Sequence, residues 1–133
     1  MIVALLLQAA AVLPSPGVLP QQDLPSKGCA AYLWSVADRS LVAMASADAA
    51  TLRVSIDGAV VDIARARESG VGDYGFAGVT DYAGRGLTAT LDMTIARKTD
   101  LAGGAAVPAG TLTLARTGQD SVVVPVAGLI GCA

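Results

Sequence analysis

The chain has 133 residues, nine Lys and Arg against eleven Asp and Glu, a net charge of −2, and 53% hydrophobic residues. That is the length of one domain, and its scattered charges form no basic stripe, so neither nucleic acid nor an anionic membrane surface is an expected partner. There is no His and no Asn, and Glu68 is the only Glu; this excludes His-dependent catalysis and N-glycosylation, removes the commonest metal ligand, and leaves acid–base chemistry to Asp, Lys or Tyr.

Residues 1–22 carry no charge, and residues 2–12 are apolar apart from Gln8. A run of that length suits the apolar region of a secretory signal peptide and is too short to span a bilayer. Ala9-Ala10-Ala11 offers a small-x-small cleavage site. No Lys or Arg follows Met1 closely, which leaves either an atypical leader or a start further upstream. Leu13-Pro14-Ser15-Pro16-Gly17-Val18-Leu19-Pro20 cannot be helical and reads as an extended linker. The expected division is a signal peptide and Pro-rich linker over residues 1–22 and a single β domain over 23–133.

From Lys27 onward the hydrophobic pattern has period two, with turn signals every 8–15 residues. Residues 30–36 and 41–45 read as a hairpin around Ala37-Asp38-Arg39-Ser40, although the alanine-rich stretch 40–50 also suits a short helix. Residues 51–64 read as a hairpin turning at Asp57-Gly58. This loop pairs Ile56 with Ala59, Val54 with Val61 and Leu52 with Ile63 on one face, and Arg53 with Asp62 on the other. Residues 76–82 and 87–96 form the next pair, turning at Gly84-Arg85-Gly86, with Leu87, Ala89, Leu91, Met93 and Ile95 on one face. Pro108-Ala109-Gly110 reads as a tight turn before a strand over 110–116. Thr117-Gly118-Gln119-Asp120 is a turn into a valine-rich strand over 121–130, where Pro125 marks an edge or a bulge. The expected fold is all-β: an antiparallel β-sandwich or a small closed β-barrel of about eight strands, its termini joined by a disulfide.

That disulfide is expected between Cys29, opening the first strand, and Cys132, almost closing the last. Disulfides persist in oxidising compartments, so the pairing agrees with the N-terminal segment in placing the protein in the periplasm or outside the cell. Two thiolates without His do not complete a usual zinc shell.

Gly70-Val71-Gly72-Asp73-Tyr74-Gly75 matches G-x-G-x-x-G, but dinucleotide binding requires a helix after it, and a strand pattern follows. It reads as a glycine loop, and no cofactor is expected. Asp73, Asp81 and Asp92 are the least implausible acid–base trio. Trp34 and Phe76 are expected to anchor the core. Candidate partner-binding residues are Asp73, Tyr74, Arg67 and Tyr82, around a protruding loop at 66–75. The expected role is a non-enzymatic binding or interaction module for an unknown protein or cell-envelope partner, with no stable membrane insertion after signal cleavage. Alternatives are an inhibitor of an envelope or secreted hydrolase, and a hydrolase using paired aspartates.

Overall fold

The computed structural model describes residues 13–98 and 103–133. Among these residues there are nine strands and no helix. They are β1 (Pro16–Gly17), β2 (Cys29–Ser35), β3 (Leu41–Ser46), β4 (Thr51–Ile56), β5 (Ala59–Ser69), β6 (Val79–Gly84), β7 (Leu87–Arg97), β8 (Gly104–Arg116) and β9 (Ser121–Cys132). From β2 onward each strand pairs antiparallel with the next, and β9 pairs back onto β2. The sheet is therefore a closed eight-stranded up-and-down barrel, and closure leaves its eight strands without a continuous free edge. Of the two architectures the sequence allowed, this is the barrel.

Local chemistry sets the hairpins. Asp57 and Gly58 have φ of 52° and 83°. Two successive left-handed residues make the primed turn whose twist matches paired strands. The β4–β5 register is the expected one, Ile56↔Ala59 through Leu52↔Ile63. On its outer face Arg53 Nε and Nη2 donate to Asp62 at 2.8 and 3.1 Å. Arg85 and Gly86, φ 55° and 71°, make a second such turn between β6 and β7. The stagger needed to close a barrel appears in β5, whose first half pairs with β4 and whose second half pairs with β6.

Residues 41–46 are the expected hairpin strand and not the alternative short helix, because pairing with β2 and β4 on both sides overrides alanine's helical preference. Several other sequence expectations are corrected. Pro108-Ala109-Gly110 is a bulge inside β8, where the register shifts between Val107 and Gly110. A bulge is the other way for a strand to absorb a residue lacking N–H. Pro125 lies on β9, which has neighbours on both sides, so it marks no sheet edge. It sits where the β2 ladder ends, and its carbonyl accepts from Val36 N at 3.0 Å. Phe76 lies outside β6, in a bridge with Asp73. Trp34 is on the outside of the barrel, because alternation along β2 turns Ala31 and Leu33 inward.

The interior is filled by side chains. Leu33, Leu52, Val54, Ile63, Leu91, Leu112, Leu114 and Val126 are essentially inaccessible, each worth about 1.5–3 kcal/mol of burial. At the end bearing the turns 57–58 and 85–86, Arg116 follows Leu112 and Leu114 on the inward face and pairs with Asp57 from the opposite wall. At the other end Phe76 enters the core from the β5–β6 loop. That end also holds the Cys29–Cys132 disulfide, between residues directly opposed in the β2–β9 ladder, with alpha carbons 4.0 Å apart.

The Pro-rich stretch is extended and lies against the barrel as a strap. Gly17 and Pro16 continue the β4 ladder opposite Ser55 and Ile56, beyond the point where β3 stops. Asp57 N donates to Ser15 O at 2.9 Å, and Leu19 N to Leu41 O at 2.8 Å. Pro14 and Leu19 are buried, the latter against Ala30 and Met44 on the outer face.

Candidate interaction surface

The outside of the barrel divides into two halves of different chemistry. The outward positions of β4–β7 carry Arg53, Asp62, Arg67, Asp81 and Asp92, with threonines between them on β7. The outward positions of β8, β9 and β2 carry no charge. Register places Trp34 opposite Ala127, Tyr32 opposite Leu129, Leu129 opposite Ala106, and Val123 opposite Thr113. On this wall Trp34 is 36% exposed, Leu129 48% and Val123 55%, with Val36 at 59% just beyond the end of β2. An uncharged patch rimmed by polar surface is the usual mark of a contact site.

The second feature is the β5–β6 loop, residues 70–78. Its bracing starts at Asp73, whose carboxylate receives Arg97 Nε at 2.6 Å, Arg97 Nη2 at 3.1 Å and Tyr74 N at 2.9 Å. The Arg97 guanidinium also lies 5.5 Å from the centre of the Tyr74 ring, in cation–π range. The Arg97 hydrogen bonds, followed by the Tyr74 amide, hold the Asp73 carboxyl below the usual carboxylate range. Gly72 has no alternative, since a β-carbon there would fall 1.8 Å from the Phe76 carbonyl oxygen. From this braced loop Val71 projects, 96% exposed.

The four candidate partner-binding residues do not form one surface. Asp73 and Tyr74 sit together in the loop and line a shallow cleft of about 440 Å³ with Glu68 and Phe76. Arg67 is on the charged exterior, donating to Asp81 at 2.9 Å. Tyr82 faces the interior, 3% exposed, and burial pushes its phenol up to about 12. Its ring is therefore not presented to a partner. Arg97 was missed because the β6–β7 ladder ends at Val79↔Asp92, and the loop beyond it turns through left-handed Tyr74 and Gly75, so no strand register leads from Asp73 to Arg97. Trp34 was noticed but assigned to the core.

The aspartate trio lines three different depressions. Asp73 is in the loop cleft, Asp81 lies beside Tyr82 and Thr88, and Asp92 lies beside Thr94 and Gly110. Hydrogen bonds from Arg67 and then Thr90 hold the Asp81 carboxyl below its ordinary range. A general acid needs the opposite shift. Among the described residues no group of three His, Cys, Asp or Glu side chains is placed to hold a metal ion. After the glycine loop comes β6, a strand, so the helix N-terminus that a dinucleotide phosphate requires is not there. No family model matches the chain, and neither a curated protein nor a solved structure matches it.

Proposed function

We propose that this protein is an exported, disulfide-closed interaction domain that binds a partner in the periplasm or outside the cell and does no chemistry itself. The observation that carries this reading is the uncharged wall of β8–β9–β2, with Trp34 on its β2 side, on a barrel whose described interior is packed with side chains. A barrel holding a small ligand keeps its polar contacts inside an open cavity; here the chemistry available for recognition is on the outside. Export is supported by the disulfide and by the apolar segment with its small-x-small site ahead of the strap.

The test is site-specific photo-crosslinking in an exporting host. A photoreactive amino acid at Leu129 or Val123 should give discrete adducts, and one at Thr88 on the charged half should not. Equal adducts from all three positions, or none from the wall, contradict the reading.

One observation favours a second reading, inhibition of an envelope or secreted hydrolase. Val71 is an almost fully exposed aliphatic side chain on a loop braced by Asp73, Arg97 and Phe76, and a pre-organised loop loses little freedom on entering a pocket. Under that reading Val71→Asp abolishes binding and Trp34→Leu leaves it intact.

A further inference from the structure

The strap shows which chemistry the outer face accepts. After Leu19, the segment Pro20-Gln21-Gln22-Asp23-Leu24-Pro25 crosses the outside of β3 and β2 toward β9. Two side chains tie it down: Arg53 Nη1 on β4 donates to Gln22 Oε1 at 2.7 Å, and on β2 Tyr32 Oη donates to the Asp23 carbonyl at 2.8 Å. Leu24 reaches β9 at Gly131, where a β-carbon would come within 2.9 Å of Leu24 Cδ2. This face of β2 therefore already holds one extended, proline-flanked segment through an aromatic donor, a chain carbonyl and aliphatic contact.

Trp34 is two residues further along the same outward face of β2, opposite Leu41 of β3, whose carbonyl accepts from the strap's Leu19 N at 2.8 Å, so the indole lies beside the strap. Its ring is flanked by Ala127 on β9, with Leu129 and Pro125 next along that strand. Among the described residues the indole N–H has no hydrogen-bond partner. A polyproline II segment fits these terms: its carbonyls are free of internal bonds, it is ordered before binding, and proline rings pack on aromatic faces. The absence of charge on the wall also selects an occupant without charge at the contact.

We infer that the Trp34 face of β2–β9 binds an extended proline-bearing segment of a partner protein, with a proline ring against the indole and a peptide carbonyl accepting from Nε1. This rests on the reading that the uncharged wall is the contact surface. The site lies alongside the contact that the protein makes with its own strap, on the β9 side of Trp34.

Trp34 is the only tryptophan in the chain, so its fluorescence reports on the site directly. The probe is a synthetic decapeptide of alternating Pro-Pro and Leu or Val, with a control in which every Pro is Gly. The expected result is a saturable blue shift with the first and at least about tenfold weaker binding of the second. In anisotropy with labelled peptide, Trp34→Leu and Leu129→Ser should each weaken binding about tenfold, and Arg67→Ala should leave it unchanged. Circular dichroism verifies folding of each variant. No saturable shift up to millimolar peptide, or equal binding of the glycine control, overturns the inference. A blue shift that grows with protein concentration alone makes a second copy the occupant and also overturns it. If crosslinks from Leu129 persist while the peptide fails, the wall remains the contact surface and only the partner class is wrong.

Discussion

Replacing both Cys29 and Cys132 with Ser tests the part the disulfide plays in closing the barrel. The bond spans 103 positions in sequence. The loop-entropy relation for a ring of about 100 residues gives about 4.7 kcal/mol at 25 °C, and measured bridges usually give about 2–4 kcal/mol. In the folded protein little else changes. The seven β2–β9 pairs from Cys29↔Cys132 to Ser35↔Val126 are backbone contacts that the serines keep. The Ala133 N to Gly28 O and Cys132 N to Gly103 O bonds also hold that end. The far-ultraviolet spectrum of the variant should therefore match that of the parent. Urea unfolding should show about 2–4 kcal/mol less stability, and a steeper dependence on urea because the uncrosslinked chain exposes more surface when unfolded. A loss under about 1 kcal/mol would show that the unfolded chain is already held compact by other means. Loss of the β spectrum would show that the bond is needed to form the barrel, contrary to the reasoning that the ladder closes it.

Further outcomes follow from single residues. Phe76→Ala removes the plug at the disulfide end and should cost about 3 kcal/mol in urea unfolding; no change would place Phe76 outside the core. The Tyr82 phenol is raised by burial from 10.0 to about 12. Its stabilising contribution is therefore present below pH 10 and lost as pH rises from 10 to about 12, amounting to roughly 2–3 kcal/mol; Tyr82→Phe should flatten that alkaline decline, and an unchanged slope refutes the assignment. The Asp62 carboxyl is lowered by its hydrogen bonds from Arg53. Its contribution is present above the unfolded carboxylate value near 4 and fades as pH falls below it; with both side chains about two-fifths exposed, Arg53→Gln should cost under about 1 kcal/mol at pH 7 and less at pH 3. Gly72→Ala should displace the loop from the Phe76 carbonyl and cost about 1–3 kcal/mol, read by proteolysis between Gly70 and Gly75 as well as by unfolding.

Much of the barrel was legible in the sequence because its hairpins are local. Asp57-Gly58 fixes a primed turn, alternation fixes which face is buried, and together they give every pair from Leu52↔Ile63 to Ile56↔Ala59. The cysteines supplied the one long-range constraint, that the first and last strands are neighbours or face each other across the core; the β2–β9 ladder makes them neighbours. Closure itself depends on the stagger summed over eight strands, which no local pattern states. Pro108 was misread because a proline followed by Ala-Gly signals a turn as readily as a bulge. The interaction surface was harder to see. Strand alternation shows that Tyr32 and Trp34 share a face, but only the absence of charge on the facing positions of β9 and β8 shows that this face is the outer wall of an uncharged half. That information belongs to three strands distant in sequence. The docking of Pro14 and Leu19 on the barrel was hidden for the same reason, since a proline-rich stretch looks alike whether it floats or packs.

The central claim is that the uncharged half of the barrel is the surface that meets the partner. Hydroxyl-radical footprinting of the purified protein, alone and in an envelope extract of its host, tests this over the whole exterior at once. Trp34, Leu129 and Val123 should lose reactivity in the extract, while Val60 on the charged half and Val71 in the loop should not change. Protection of Val71 with an unchanged wall would transfer the contact to the β5–β6 loop, and protection nowhere would contradict the account.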